Sequence, residues 1–177
     1  MRIGLDIAQQ RMPWSENADR ARFAEGLGFD GIWGFDHFQP MYGEGPGECF
    51  EGMTTLAAWS GITERVRLGL LVTGVTYRHP GLLAKIVTTL DVISGGRLEW
   101  GVGAGWYDGE YHAYGYDFPA AKVRIGMLRE AVEIVTAMWK EPETTYAGSI
   151  EDNYAGLKWL HSNAASLGVD QSRIALL

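Results

Sequence analysis

Apolar residues recur along this chain in two ways. Short runs such as "GIWGFD" (31–36), "VRLGLLVT" (66–73) and "LEWGVG" (98–103) are nearly continuous, whereas the stretches between them carry an apolar residue at every third or fourth position. The first pattern predicts strands and the second predicts helices with one buried face. Arg2–Ile7 reads as a strand, followed by a helix over 16–27 with Ser15 as N-cap and Ala18, Ala21, Ala24 and Leu27 facing inward. A strand over 31–36, a loop rich in glycine and proline and a helix over 50–61 come next, then a strand over 66–73 whose composition suits burial on both faces. The helix over 80–94 places Leu83, Ile86, Val87 and Leu90 on one side and ends at Gly95–Gly96. A strand over 98–103 and a helix over 121–140 complete the series, the helix with Val123, Met127, Ala131, Ile134, Val135 and Met138 on its face.

Strand starts near 2, 31, 66 and 98 repeat at the spacing of a βα unit. Alternating apolar strands and helices imply a parallel sheet with right-handed crossovers. After residue 140 the rhythm changes: Ser149-x-x-Asp152 resembles a capping box for a helix over 150–167, and a last strand is expected over 173–177. The expected division is therefore 1–148 and a helix–strand tail, 149–177, packed on the same domain or exchanged with a partner.

Composition narrows the partners. The 177 residues suit one ordinary domain, and 46% hydrophobic content supports a core. A formal charge of −7 argues against nucleic acid or an anionic membrane surface as the main partner. No run approaches the roughly 18 apolar residues of a membrane span. The single cysteine, Cys49, excludes an internal disulfide framework and fits a reducing cytoplasm. The histidines show no metal-ligand spacing, and no serine sits in a nucleophile elbow, so neither a metal site nor a serine triad is expected.

Three blocks go beyond periodicity: "AEGLGFDGIWGFDHF" (24–38), "RVRLGLLVTGVTYRHPGLLAKIVTTLDVISGGRLEWGVGAGWYDGEYHAYGYDF" (65–118) and "RIGMLREAVEIVTAMW" (124–139). In this order they resemble the bacterial luciferase-like monooxygenase family, most closely its deazaflavin- or FMN-dependent oxidoreductase branch. The resemblance implies a (β/α)8 barrel that holds a flavin or 5-deazaflavin at the C-terminal ends of its strands and moves a hydride, or activates oxygen, on a small organic substrate. A complete barrel takes eight units and about 250 residues, so the expected fold is α/β, half of a TIM-type barrel in four βα units plus the extra tail. In the family, the cofactor phosphate is held largely by the other half. The segment over 151–177 resembles instead the stretch before the nucleophile elbow of hormone-sensitive-lipase-type hydrolases.

The resemblance also assigns candidate site residues. Asp36 and His37 end a strand at the mouth of the barrel, where an imidazole suits proton exchange coupled to hydride movement. The competing reading has Asp36 capping the next loop and His37 packing on Phe38. Leu71–Val72 matches the family's non-prolyl cis peptide behind the cofactor ring, and the competing reading is an ordinary buried strand. "GVGAGW" (101–106) fits a G-x-G pattern only weakly, because Trp106 replaces a third glycine and no helix is expected there. The family reading gives Gly103 and Ala104 a close approach to the ring, with Trp106 and Glu110 on the loop above, against plain strand packing.

Half a barrel leaves two unpaired sheet edges and an inner face expected to expose roughly several hundred Å² of apolar surface. A homodimer with facing halves is the simplest remedy. Three functions follow: an oxidoreductase using deazaflavin or FMN, a hydrolase using Asp36 and His37, or a fragment without chemistry of its own.

Overall fold

A computed structural model describes residues 1–140. The capping box, the helix over 150–167, the strand over 173–177 and the division at 148/149 lie outside the described residues. The elements are β1 (Gly4–Asp6), α1 (Trp14–Gly26), β2 (Gly31–Gly34), α2 (Gly52–Ile62), β3 (Arg67–Leu70), β4 (Thr73–Gly74), α3 (Pro80–Ile93), β5 (Leu98–Glu99), β6 (Val102–Gly103), α4 (Asp108–Tyr114) and α5 (Ala121–Lys140). The strands β1-β2-β3-β5 form one sheet, and β4 pairs with β6 just beyond it. Every named pair is parallel, with Trp33 opposite Gly69 and Gly69 opposite Glu99. The four expected βα units are present.

The core lies between sheet and helices. Ile32, Leu68 and Leu70 from the strands meet Leu56 and Trp59 of α2 and Leu83 and Val87 of α3, all at most 2% exposed. Each such side chain contributes about 1.5–3 kcal/mol on burial. The Trp59 indole also donates to Asn17 Oδ1 at 2.8 Å, a buried bond that ties α2 to α1.

Local chemistry moves several boundaries. α1 begins at Trp14 behind an extended Pro13, not at a Ser15 cap, and its C-cap Leu27 is exposed instead of facing inward. The run 66–73 is not one strand: β3 stops at Leu70, the Leu71–Val72 peptide is cis, and β4 resumes at Thr73. The run 98–103 likewise divides into β5 and β6. A helix missing from the expectations, α4, starts two residues beyond Trp106 and ends at Gly115 in the left-handed region, φ 73°. On α5, Ala131 and Val135 are buried as expected, but Val123, Met127 and Ile134 are exposed.

The inner face differs most from expectation. Strand alternation sends Ile32, Leu68 and Leu70 toward the helices, and leaves Gly4, Gly31, Gly69, Trp33, Arg67 and Glu99 on the other side. The Trp33 indole lies over the three glycines, filling the space where a Cβ would sit. Arg67 and Glu99 form an ion pair beside it. The face is thus an indole over glycines and a charge pair rather than a broad apolar patch.

The N-terminal end of the sheet is held by polar staples. Arg97 donates to the carbonyls of Ser60, Thr63 and Val66 at 2.9–3.0 Å, satisfying the end of α2. Glu25 accepts the backbone N–H groups of Glu64, Arg65 and Val66. Among the described residues, no helix is long and apolar enough to cross a membrane.

Candidate functional site at the strand C-termini

The chain leaves β2 through Phe35, Asp36 and His37, and this exit is pinned from both sides. The buried Gln9 amide donates to Phe35 O at 2.5 Å and to Phe50 O at 3.2 Å, and its Oε1 accepts Phe35 N–H at 3.1 Å. Gly34 leaves room for this side chain, because an added Cβ would lie 2.5 Å from Gln9 Oε1 and force it to shift.

Asp36 and His37 then part company. Asp36, 3% exposed, accepts from Gly74 N–H at 2.8 Å and from both terminal nitrogens of Arg78, at 2.5 and 2.8 Å. Arg78 also reaches Glu51 at 2.5 Å, and Glu51 caps α2 by accepting Met53 and Thr54 N–H. One guanidinium therefore joins β2, β4, α2 and the start of α3. Burial pulls the Arg78 guanidinium down, but Asp36 and Glu51 outweigh it and raise it above its usual range. Burial likewise pushes the Glu51 carboxyl up, and its Thr54 and Arg78 hydrogen bonds more than reverse that.

His37, with 17% of its side chain exposed, points Nδ1 at Glu110 Oε2, 2.8 Å away. Glu110 sits on α4, not on a loop, and is fully buried. It also accepts from Tyr77 OH at 2.9 Å and from the N–H groups of Phe38 and Gln39 at 2.7 and 3.0 Å. Burial raises the Glu110 carboxyl, yet His37 and these backbone donors leave it below the ordinary value of 4.5. Burial, then Glu110, push the Tyr77 phenol up, so it stays a donor. Burial and Glu110 also push the Cys49 thiol up to about 12, and this protonated thiol donates to His37 O at 3.3 Å.

Six of the eight candidate residues, Asp36, His37, Leu71, Val72, Gly103 and Trp106, line one cavity of about 110 Å³ at the strand C-termini. Ala104 and Glu110 do not line it, and Glu110 lies behind His37. Gly103 lets the β6 backbone pass close to a Val72 methyl, where a Cβ would collide. The hydrolase alternative has Asp36 and His37 acting together on water, but the Asp36 carboxylate is taken by Arg78 and Gly74, so the two do not work as a pair. Sequence reasoning missed Arg78, Tyr77, Glu51 and Gln9. A signal was available for the first two: "YRH" follows the end of β4 as "DH" follows β2, so both reach the same mouth.

The lowered carboxyls give a pH expectation. A group whose folded value is depressed contributes stability that is complete above its unfolded value and lost as pH falls through the folded one. Glu25, Glu51 and Glu110 all share this direction. The urea midpoint is expected to hold steady above the ordinary carboxyl value and to fall as the pH drops below it, through the lowered folded values. A midpoint unchanged across that lower window would show that these contacts do not stabilise the fold.

The chain is 34% identical over 150 residues to an F420-dependent glucose-6-phosphate dehydrogenase of Microbacterium testaceum, an alignment covering 84% of this chain and 44% of the relative. The chain thus spans less than half the length of the curated relatives it matches. An F420-dependent secondary alcohol dehydrogenase, solved with an F420-acetone adduct, superposes with a TM-score of 0.72 at 27% identity, over 80% of this chain and 42% of that one. A coenzyme F420 dependent tetrahydromethanopterin reductase from Methanopyrus kandleri, with a TM-score of 0.63 and 24% identity over 82% of this chain and 42% of that one, shows the shared fold. The family model for luciferase-like monooxygenases matches residues 1–160, and so enters the stretch likened above to a hydrolase, a likeness the comparisons do not support. On that match, the chain belongs to the luciferase-like monooxygenase family.

Proposed function

We propose that the strand C-termini form the ring-binding and proton-handling part of a flavin- or deazaflavin-dependent oxidoreductase acting on a small organic alcohol or carbonyl. The observation that carries this reading is the convergence of His37, Val72, Gly103 and Trp106 on one cavity. The lining suits one face of a flat heteroaromatic ring, and since about 110 Å³ encloses only part of such a ring, the ring would lie across the mouth rather than inside it. Leu71 and Val72 offer exposed apolar surface, Gly103 keeps the backbone low, and Trp106, 66% exposed, adds an aromatic face. Such a ring, when bound, supplies the hydride acceptor or donor. Nδ1 of His37 is engaged by Glu110, which leaves Nε2 to take the hydroxyl proton of an alcohol while the neighbouring C–H gives up hydride. In the reverse direction Nε2 returns that proton to a carbonyl oxygen. The names of the two dehydrogenase relatives, each acting on a carbon that bears oxygen, support this chemical class.

Titrating FMN and a 5-deazaflavin into the protein while following fluorescence tests the reading. Saturable quenching is expected, with affinity about tenfold weaker in Trp106→Ala, the worth of one lost aromatic contact. No saturable change with either compound, or equal affinity in Trp106→Ala, would remove it. Homo-oligomerisation is proposed on separate grounds, the exposed Val92 and Ile93 of α3 and Val123 and Ile125 of α5. A monomeric mass by light scattering would contradict it.

A further inference from the structure

Glu110 never reaches the cavity, yet it is the most heavily engaged carboxylate among the described residues of the mouth. Its Oε1 accepts the N–H groups of Phe38 and Gln39, and its Oε2 faces His37 Nδ1 and Tyr77 OH. We propose that Glu110 is a positioning residue that fixes neutral His37 in the tautomer protonated at Nδ1, so that Nε2 presents a bare lone pair to the cavity. The proposal rests on the oxidoreductase reading above and deepens it, because only a bare Nε2 can take a hydroxyl proton.

Donors and acceptors decide which nitrogen carries the proton. An ionised carboxylate can only accept, so the ring nitrogen 2.8 Å from Oε2 must be the one that carries hydrogen. The surrounding donors hold Glu110 ionised. The other groups facing the imidazole do not compete. Tyr77 already donates to Glu110, Cys49 donates to the His37 carbonyl, and Asp36 and Glu51 are both bound to Arg78. The ring itself is wedged edge-on against Phe35, Trp106 and Tyr107, with centroids 5.4, 5.9 and 6.5 Å away. Rotation to exchange the two nitrogens would have to displace these rings.

The bland alternative is that Glu110 only staples α4 to the chain after β2. Glu110→Gln separates the two roles. The amide oxygen can keep the Phe38 and Gln39 N–H groups, so a staple survives. The amide nitrogen then takes the place of Oε2 and donates to Nδ1, which drives the ring proton to Nε2. Long-range ¹H–¹⁵N spectra of the full chain, without any flavin and at a pH where the imidazole is neutral, read the tautomer directly. In the wild type, Nδ1 is expected to show the protonated shift and Nε2 the bare one, and Glu110→Gln is expected to invert them. Tyr77→Phe, which leaves the carboxylate in place, is expected to keep the wild-type pattern. A wild-type proton on Nε2, or one pattern shared by wild type and Glu110→Gln, would overturn the proposal. If Glu110→Gln does not fold, the wild-type spectrum still decides. Because no flavin is present, failure of the titration above leaves this result standing, and the reverse also holds.

Discussion

Arg78→Met is expected to lower the unfolding free energy by about 3–5 kcal/mol, the cost of removing one partner from a buried ion pair. The Asp36 side chain is 1% exposed, and two of its three hydrogen bonds come from Arg78. Without the guanidinium a carboxylate is left in the interior with one backbone donor. Glu51, whose side chain is 38% exposed, can turn to water and adds little to the loss. The double variant Asp36→Asn, Arg78→Met should recover most of the stability, since the amide oxygen still accepts Gly74 N–H and no charge remains. Denaturant unfolding of the two variants checks this. A loss below about 1 kcal/mol in Arg78→Met would mean that water reaches Asp36 freely.

Gly105→Ala is expected to cost about 2–4 kcal/mol, from two sources that add. Gly105 has φ 74°, where an L side chain is strained, and an added Cβ would fall on the Tyr111 hydroxyl. Tyr111 is fully buried and hydrogen-bonded to Thr76, so its ring cannot swing away. Any relief must shift α4, and with it Glu110 and the His37 imidazole. The variant is therefore expected to lose stability and to disturb the His37 ring signals together. A stable Gly105→Ala protein with wild-type His37 signals would show that α4 is not rigidly coupled to the mouth.

Much of this arrangement was legible in the sequence. Strand and helix periods were distinct enough to place four βα units, and α5 was located to its terminal residues. The break at Leu71–Val72 was not legible from composition, because "LGLLVT" is apolar throughout and only the family resemblance marked the position. α4 was missed because it is short and owes its place to Glu110 and Tyr111, not to an apolar stripe. Asp36 and His37 read as a pair because they end one strand together and match the family's Asp-His pair there. In extended backbone, adjacent side chains point to opposite sides, so each found a partner far along the chain, Arg78 and Glu110. Charge pairing at that distance leaves no local signature. The inner face was misjudged for a related reason: an apolar run says how much surface a strand buries, and the alternation decides on which side.

The proposed flavin-type ring binds across the C-terminal strand ends. Backbone amide shifts recorded while a 5-deazaflavin is titrated into the full chain test this most directly. The largest changes are expected at His37, Val72, Gly74, Gly103 and Trp106. Changes concentrated instead at the opposite strand ends, near Gly4, Gly31, Arg67 and Leu98, would contradict it.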